Sequence, residues 1–248
     1  MPELENSENL SFWDHVDVFR RMLWHIIIAL LIGTVGSFFF ANVFISFLMV
    51  PFEVVKHGEL VYLAPMEGFV TQLKVAFMAG LVVSMPYLLF EGWRFIAPGL
   101  YKREKRTVLM AMALTILSFY LGAYFGYRVL PFATGFFLSF GEGLINSTWS
   151  FAHYLDYVIR VILAFGLVFE LPLVIALLTT LGLVGPRGLR KVRRHAYVGV
   201  FVLASIITPP DVITQVVLAV PLILLYELSI GVSALLTRRR EAREAEEQ

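Results

Sequence analysis

One carboxylate stands alone inside a long apolar stretch of the chain. Between Val161 and Val184 the sequence reads VILAFGLVFELPLVIALLTTLGLV, and Glu170 is its only ionisable residue. At about 1.5 Å per residue this stretch crosses a bilayer core of roughly 30 Å, so Glu170 should lie at hydrocarbon depth. An ionised carboxylate there costs at least about 2.5 kcal/mol. We expect Glu170 to face protein or water, either as a satisfied acid that pins helix packing or as a functional carboxylate that a partner engages.

A proline follows this acid and should distort its helix. Pro172 has no backbone N–H, so it tends to kink a helix and leaves a carbonyl near Glu170 that needs another partner. The sequence therefore predicts a kinked span around Glu170.

A second acid lies in a basic turn. Glu104 stands among four cations in YKREKR. As an exposed ion pair it would be worth at most about 1 kcal/mol. Beside interfacial aromatic residues it could instead hold a guanidinium in two-pronged fashion, with hydrogen bonds worth roughly 1.5 to 3 kcal/mol each. The residues alone leave both readings open.

Polar residues also bracket a turn late in the chain. The turn consists of Thr208, Pro209, Pro210 and Asp211, and Gln215 follows. Such residues can merely cap a helix. If the bundle is concave, Thr208 and Gln215 come near the level of Glu170, which would make a polar patch inside the membrane.

The sequence offers little support for catalysis. It contains no cysteine, no GxxxxGK[ST] loop, and its five histidines form no HExxH motif. We expect no enzyme activity, no metal, no cofactor and no nucleic-acid partner. A secondary transporter would normally show internal repeats, and no two halves of this chain match.

Composition predicts an integral membrane protein. Of the 248 residues, 58% are hydrophobic and 16% are charged. Acidic residues precede the first apolar run, which is the wrong charge for a signal peptide, so we expect that run to remain as a span. Six apolar stretches follow one another, and they are Met22 to Phe40, Met66 to Phe90, Thr107 to Leu130, Phe151 to Val184, Ala196 to Ile207, and Val212 to Tyr226.

The stretches between and within the spans allow further predictions. The last two of the six apolar stretches are brief, and as helices they would cover only roughly 18 and 23 Å of the bilayer. Residues 41–66 should form a structured outer loop with short helices, and Pro131 to Ser150 a second loop. Gly122 and Gly126 have the small-xxx-small spacing of close helix packing, against the alternative of no special role.

Cations indicate the orientation. Fifteen of the 20 Lys and Arg residues lie beside the termini or in the two basic turns. By the positive-inside rule both termini are cytoplasmic. We predict an all-α, polytopic bundle of six transmembrane helices with a concave shape, forming one domain over residues 1–248, with mobile tails at 1–12 and 238–248.

These residues in this order resemble the TatC family, the six-span receptor core of the twin-arginine protein translocase. The resemblance covers His15 to about Glu227, in the segments HVDVFRR, FIAPGLYKREKR, FGLVFELP, GLRKVRRHAYV, TPPDVITQ and the final YE. It implies a receptor in the cytoplasmic (inner) membrane that binds the Arg-Arg signal peptides of folded proteins. It also implies single-span TatA/TatB-type partners, a homo-oligomer within the complex, contact with lipids, and export driven by the proton gradient.

The resemblance also implies roles for particular residues. Glu104 would be an acid for the arginine pair, with Arg20, Phe95 and Arg106 shaping the site. Glu170, Thr208 and Gln215 would form a membrane cluster that meets partner helices. Pro51 matches a proline of the first outer loop.

One position departs from the family pattern. The family's H-L-x-E-L-R motif, laid on HVDVFR, puts Val18 where a second signal-binding glutamate is usual. Asp14, one turn earlier, or Asp17, its neighbour, could compensate. If neither does, recognition of the signal peptide depends on Glu104 and on the signal's apolar segment. Alternatively, the chain is a variant with altered specificity. Rival readings are a proton-coupled small-solute transporter that uses Glu170, and a purely structural membrane anchor.

Overall fold

The computed structural model describes residues 12–55, 59–96, 105–139, 148–207 and 212–246. Within them, the chain forms eight helices and two short strands. In order they are α1 (Phe12–Phe38), α2 (Ala41–Glu53), β1 (Glu59–Val61), α3 (Glu67–Ile96), α4 (Lys105–Ser139), β2 (Thr148–Ser150), α5 (Phe151–Val168), α6 (Leu171–Thr180), α7 (Pro186–Ile207) and α8 (Val212–Glu246). The predictions on Glu104 and on the turn from Thr208 to Asp211 fall outside the described residues.

Five helical segments are long and apolar enough to cross a membrane: Val16–Phe38, Glu67–Phe95, Leu109–Phe136, Phe151–Thr180 and Gln215–Arg238. The chain is therefore an all-α, polytopic membrane protein, as predicted. Helix α7, which carries the predicted fifth span, is not among them, because its first half is rich in Arg and Lys. The count of six spans and their orientation stay predictions.

The described residues divide into two compact units. The first takes its residues from Met1–Phe47 and Pro65–Ile116, and the second from Leu48–Ala64 and Leu117–Gln248. The proposed single domain over 1–248, with its mobile tails, stays a prediction.

In the first unit, α1 and α3 pack antiparallel with their backbones almost touching. A Cβ added to Gly80 would lie 2.5 Å from the backbone nitrogen of Thr34, and one added to Gly33 would lie 2.8 Å from the carbonyl oxygen of Gly80. Nearby, Ser84 Oγ donates a hydrogen bond to the carbonyl of Ala29 at 3.1 Å. Only glycine permits so close an approach, because any side chain would collide with backbone.

In the second unit, α4 packs against α5 through the predicted glycines. A Cβ on Gly122 would lie 2.5 Å from the carbonyl oxygen of Phe165, and one on Gly126 would lie 3.0 Å from the Cβ of the same residue. The small-xxx-small spacing therefore serves packing within this chain, and the alternative of no special role is wrong.

The first predicted loop contains a short helix, as expected, whereas the predicted start of the second loop is wrong; the outer location of both loops stays a prediction. Helix α2 contains Pro51 and is fixed by the hydroxyl of Tyr154, which donates to the carbonyl of Leu48 at 3.2 Å. Strand β1 then pairs with β2 in parallel. The second loop does not start at Pro131, because α4 continues through this proline to Ser139. Residues just beyond the proline, such as Ala133, are buried and hold the helix together.

The prediction that the last helix is short is wrong. Helix α8 continues for 20 residues beyond Tyr226, up to Glu246. Glu227 does not interrupt it, because its carboxylate accepts hydrogen bonds from Arg193 Nη2 at 2.6 Å and from the hydroxyl of Tyr197, both on α7. Because its charge is paired in this way, Glu227 can lie within a continuous helix.

Candidate functional sites

The first candidate site lies at the ends of α1 and α3 in the first unit. Asp17 and Arg20 form an ion pair on α1, with Asp17 Oδ1 and Arg20 Nη2 3.2 Å apart. Their side chains are 61% and 73% exposed, so this pair contributes little to stability. Both groups therefore remain accessible to a charged ligand.

An aromatic contact stands beside this pair. The rings of Phe19 on α1 and Phe95 on α3 lie 5.7 Å apart and are tilted by 57°. Phe95 is half-buried. Of the six residues predicted here, the structure thus brings Arg20, Asp17 and Phe95 to the same pair of helix ends. The backbones of Asp14 and Arg106 lie in α1 and α4, but their side chains are outside the described residues, as is Glu104.

The structure adds an acid that the sequence reading missed. Glu91 is only 4% exposed, and its Oε1 lies 3.4 Å from Arg94 Nη1 and 3.7 Å from His25 Nδ1. The hydroxyl of Tyr87, one turn earlier on α3, interacts with the same carboxylate. The predicted span ends at Phe90 and assigns Glu91 to the following turn, whereas α3 continues as a helix to Ile96.

The second candidate site surrounds Glu170 in the second unit. The apolar stretch is broken, as predicted: α5 ends at Val168, Phe169 and Glu170 form a turn, and α6 begins at Leu171. Pro172 occupies the start of α6, where its missing N–H is tolerated. The N–H of Leu173 then bonds the carbonyl of Glu170 at 3.0 Å instead of reaching back to Phe169.

The carbonyl left over by this break has a partner. Ser118 Oγ on α4 donates to the carbonyl oxygen of Phe169 at 2.7 Å. The predicted need for a partner near Glu170 is therefore confirmed, and a hydroxyl 51 residues earlier in the chain meets it.

The carboxylate itself is not fully satisfied. Glu170 is 8% exposed, and its Oε1 is buried without a hydrogen-bond partner among the described residues. An unpaired buried oxygen of this kind costs about 1 to 3 kcal/mol, and more if it is charged. This oxygen is the strongest mark of a binding site in the second unit.

The other polar residues of the predicted membrane cluster have separate outcomes. Gln215 Nε2 donates to the carbonyl of Phe201 at 2.8 Å, so this amide ties α8 to α7. Thr208 lies outside the described residues. The grouping of Glu170, Thr208 and Gln215 therefore stays a prediction.

Comparison with known proteins identifies the family. A family model described as Sec-independent protein translocase protein (TatC) matches residues 14–221. The chain is 38% identical to the TatC protein of Magnetococcus marinus, with 99% of this chain and 92% of the relative covered. It is also 38% identical to TatC of Aquifex aeolicus, with 92% and 96% covered.

A solved structure agrees with these relatives. The crystal structure of a twin arginine translocase receptor, TatC, matches with a TM-score of 0.84 and 38% identity, over 90% of this chain and 99% of that chain. The family match spans more than half of the sequence, and the relatives are matched over nearly their whole length. The chain therefore belongs to the TatC family of Sec-independent protein translocases, which are membrane transport proteins rather than enzymes.

Proposed function

We propose that this chain is the receptor and core scaffold of a twin-arginine translocase. It binds Arg-Arg signal peptides at the cytoplasmic face, recruits single-span TatA/TatB-type subunits within the membrane, and supports export of folded proteins driven by the proton gradient. Copies of the chain associate within the complex. The observation that carries the proposal is the buried carboxylate of Glu170, whose Oε1 has no hydrogen-bond partner in the described part of the chain.

The membrane acid supports the recruitment of a partner helix. In hydrocarbon an unpaired carboxylate oxygen is costly, and no water competes for a donor that arrives from another helix. A single-span subunit with a polar side chain at this depth would pair with Glu170 and gain affinity. Thr208 and Gln215 belong to the same proposed surface.

The α1 and α3 ends support the signal-binding role. In this proposal Glu104 holds the arginine pair, and Arg20, Arg106, Asp14 and Asp17 set the charge around it. Guanidinium groups stack on aromatic faces, which suits the half-buried ring of Phe95. The basic turns and both termini lie in the cytoplasm, by the positive-inside rule.

The signal site is tested with a fluorescent Arg-Arg signal peptide and the purified chain in nanodiscs. Glu104→Ala and Glu104→Arg should abolish binding, because the guanidinium groups lose their carboxylate. Glu53→Ala, which removes an exposed acid at the end of α2, is the matched control and should bind like wild type. Unchanged affinity in both Glu104 variants would reject the role.

The membrane site is tested by co-purification with a single-span TatA/TatB-type subunit. Glu170→Ala should weaken the association while the chain stays folded. Thr134→Val removes another buried oxygen of the second unit that has no hydrogen-bond partner among the described residues, and it should leave the association intact. Solute uptake by partner-free proteoliposomes that depends on Glu170 would favour the transporter reading, and tolerance of both Glu104 and Glu170 substitutions would favour the structural anchor.

A further inference from the structure

The buried acid Glu91 belongs to a small polar cluster that the proposed function does not use. Its side chain is 5% exposed and is covered by Arg94, on the same helix, and His25, on α1. Both of these cation contacts go to Oε1 and are long, at 3.4 and 3.7 Å. The carboxylate thus has countercharge available but, among the described residues, no two-pronged guanidinium bond, which is the strongest pairing open to it.

The groups that cover Glu91 are movable. The side chains of Arg94 and His25 are 60% and 40% exposed, so Arg94 has room to move aside when another guanidinium takes its place. His25 and Tyr87 also line an open, mainly apolar groove of about 400 Å³ between α1 and α3. An incoming side chain therefore has space beside the cluster.

The cluster adjoins the proposed signal site. Glu91 precedes Phe95 by one helical turn, and Phe95 contacts Phe19, the neighbour of Arg20. Exchange of Arg94 for another guanidinium would keep the buried carboxylate paired, so no uncompensated charge arises during the exchange.

We propose that Glu91 is a second carboxylate for the signal's arginine pair, occupied by Arg94 in the free protein and by a peptide guanidinium in the complex. This inference rests on the proposed signal-binding function. It assigns the guanidinium group as the ligand of the Glu91 cluster. It also supplies a second acid on the helix that packs against α1, where Val18 stands at the family's usual glutamate position and Asp14 and Asp17 were the candidates for compensation.

The test is a titration of the full chain in nanodiscs with an Arg-Arg peptide and a Lys-Lys peptide of equal charge, which cannot bond in two-pronged fashion. Glu91→Gln should weaken Arg-Arg binding about tenfold or more, because a charge-assisted bond is lost. Arg94→Gln should strengthen it about two- to fivefold, because an exposed competing guanidinium is removed. Glu53→Gln, with the same charge change at an exposed site, should match wild type.

The outcomes separate this inference from the function on which it rests. If wild type does not prefer Arg-Arg over Lys-Lys, the proposed signal-binding function fails, and the inference fails with it. If wild type discriminates but Glu91→Gln binds equally well, only the inference is overturned. If Arg94→Gln binds more weakly than wild type, Arg94 belongs to the site rather than competing for it, and the inference is again overturned. Should Glu91→Gln not fold, the Arg94→Gln titration decides, and unchanged affinity there also overturns the inference.

Discussion

Each compact unit buries one acid, within the part of the chain that the structure describes, and the two acids are met differently. Glu91 in the first unit has Arg94 and His25 beside it, and the side chains of both are partly exposed. Glu170 in the second unit has no cation within ion-pair distance among the described residues, and its Oε1 lacks any partner there. An acid near a helix end can pair with partly exposed cations, whereas an acid in the middle of an apolar segment needs a hydrogen-bond donor from another helix.

The two units resemble each other in their helix packing. In each unit two helices approach closely at glycines, and one of the two helices leads to the buried acid. The glycines are Gly33 and Gly80 in the first unit and Gly122 and Gly126 in the second. The two acids differ in the polar groups that the surrounding residues offer them.

The largest expected effect tests the shared packing. Gly80→Leu and Gly122→Leu should each destabilise the fold by about 3 kcal/mol, because a Cβ alone would lie 2.5 Å from backbone atoms. Thermal unfolding in detergent measures the loss. Gly36→Ala is the control, since a Cβ there meets nothing within 4 Å and should stabilise α1 slightly. Wild-type stability in either leucine variant would contradict the described contacts.

The sharpest test of the comparison exchanges both acids for leucine. Glu170→Leu should stabilise the isolated chain by about 1 to 3 kcal/mol, because a buried unpaired oxygen is removed. Glu91→Leu should cost at most about 1 kcal/mol, since its counterions are largely exposed. Equilibrium unfolding of both variants measures the change in the free energy of unfolding. If both substitutions changed it in the same direction, the distinction between the two acids would be lost.

A smaller effect concerns the kink beside Glu170. Ser118→Ala should destabilise the second unit by about 1 kcal/mol, because the carbonyl of Phe169 loses its hydrogen bond. Amide exchange around residues 169–173 should rise in this variant. Ser46→Ala, which removes an exposed hydroxyl bond on α2, serves as the control and should change neither measurement.

The smallest effect is expected at the α7–α8 ion pair. Glu227→Gln should cost no more than about 1 kcal/mol, because the side chains of Arg193 and Glu227 are 44% and 34% exposed and solvent screens their attraction. High salt should narrow the difference between variant and wild type. A loss that salt does not change would mean that packing, rather than charge, holds α8 beyond Glu227.

Several features of the fold and site were predictable because they depend on local rules. Span-length apolar runs, the break at Pro172 and the need for a partner near Glu170 follow from the bilayer's thickness and from the missing N–H of proline. The short last helix and the loop start at Pro131 were wrong because each prediction took a single residue as the end of an element. Residues on α7 pair the charge of Glu227, and residues after Pro131, such as Ala133, are buried, so both helices continue.

The sequence by itself determined that this chain spans membranes, that Glu170 lies deep in an apolar segment and that the chain resembles one family. These properties follow from residue order along a single helix, which the bilayer and backbone hydrogen bonding constrain strongly. Only the tertiary structure decided that Ser118 satisfies Phe169, that Arg193 and Tyr197 satisfy Glu227, and that Glu91 lies between His25 and Arg94. Most of these contacts join helices far apart in the chain, so they depend on how helices pack, which no local pattern specifies.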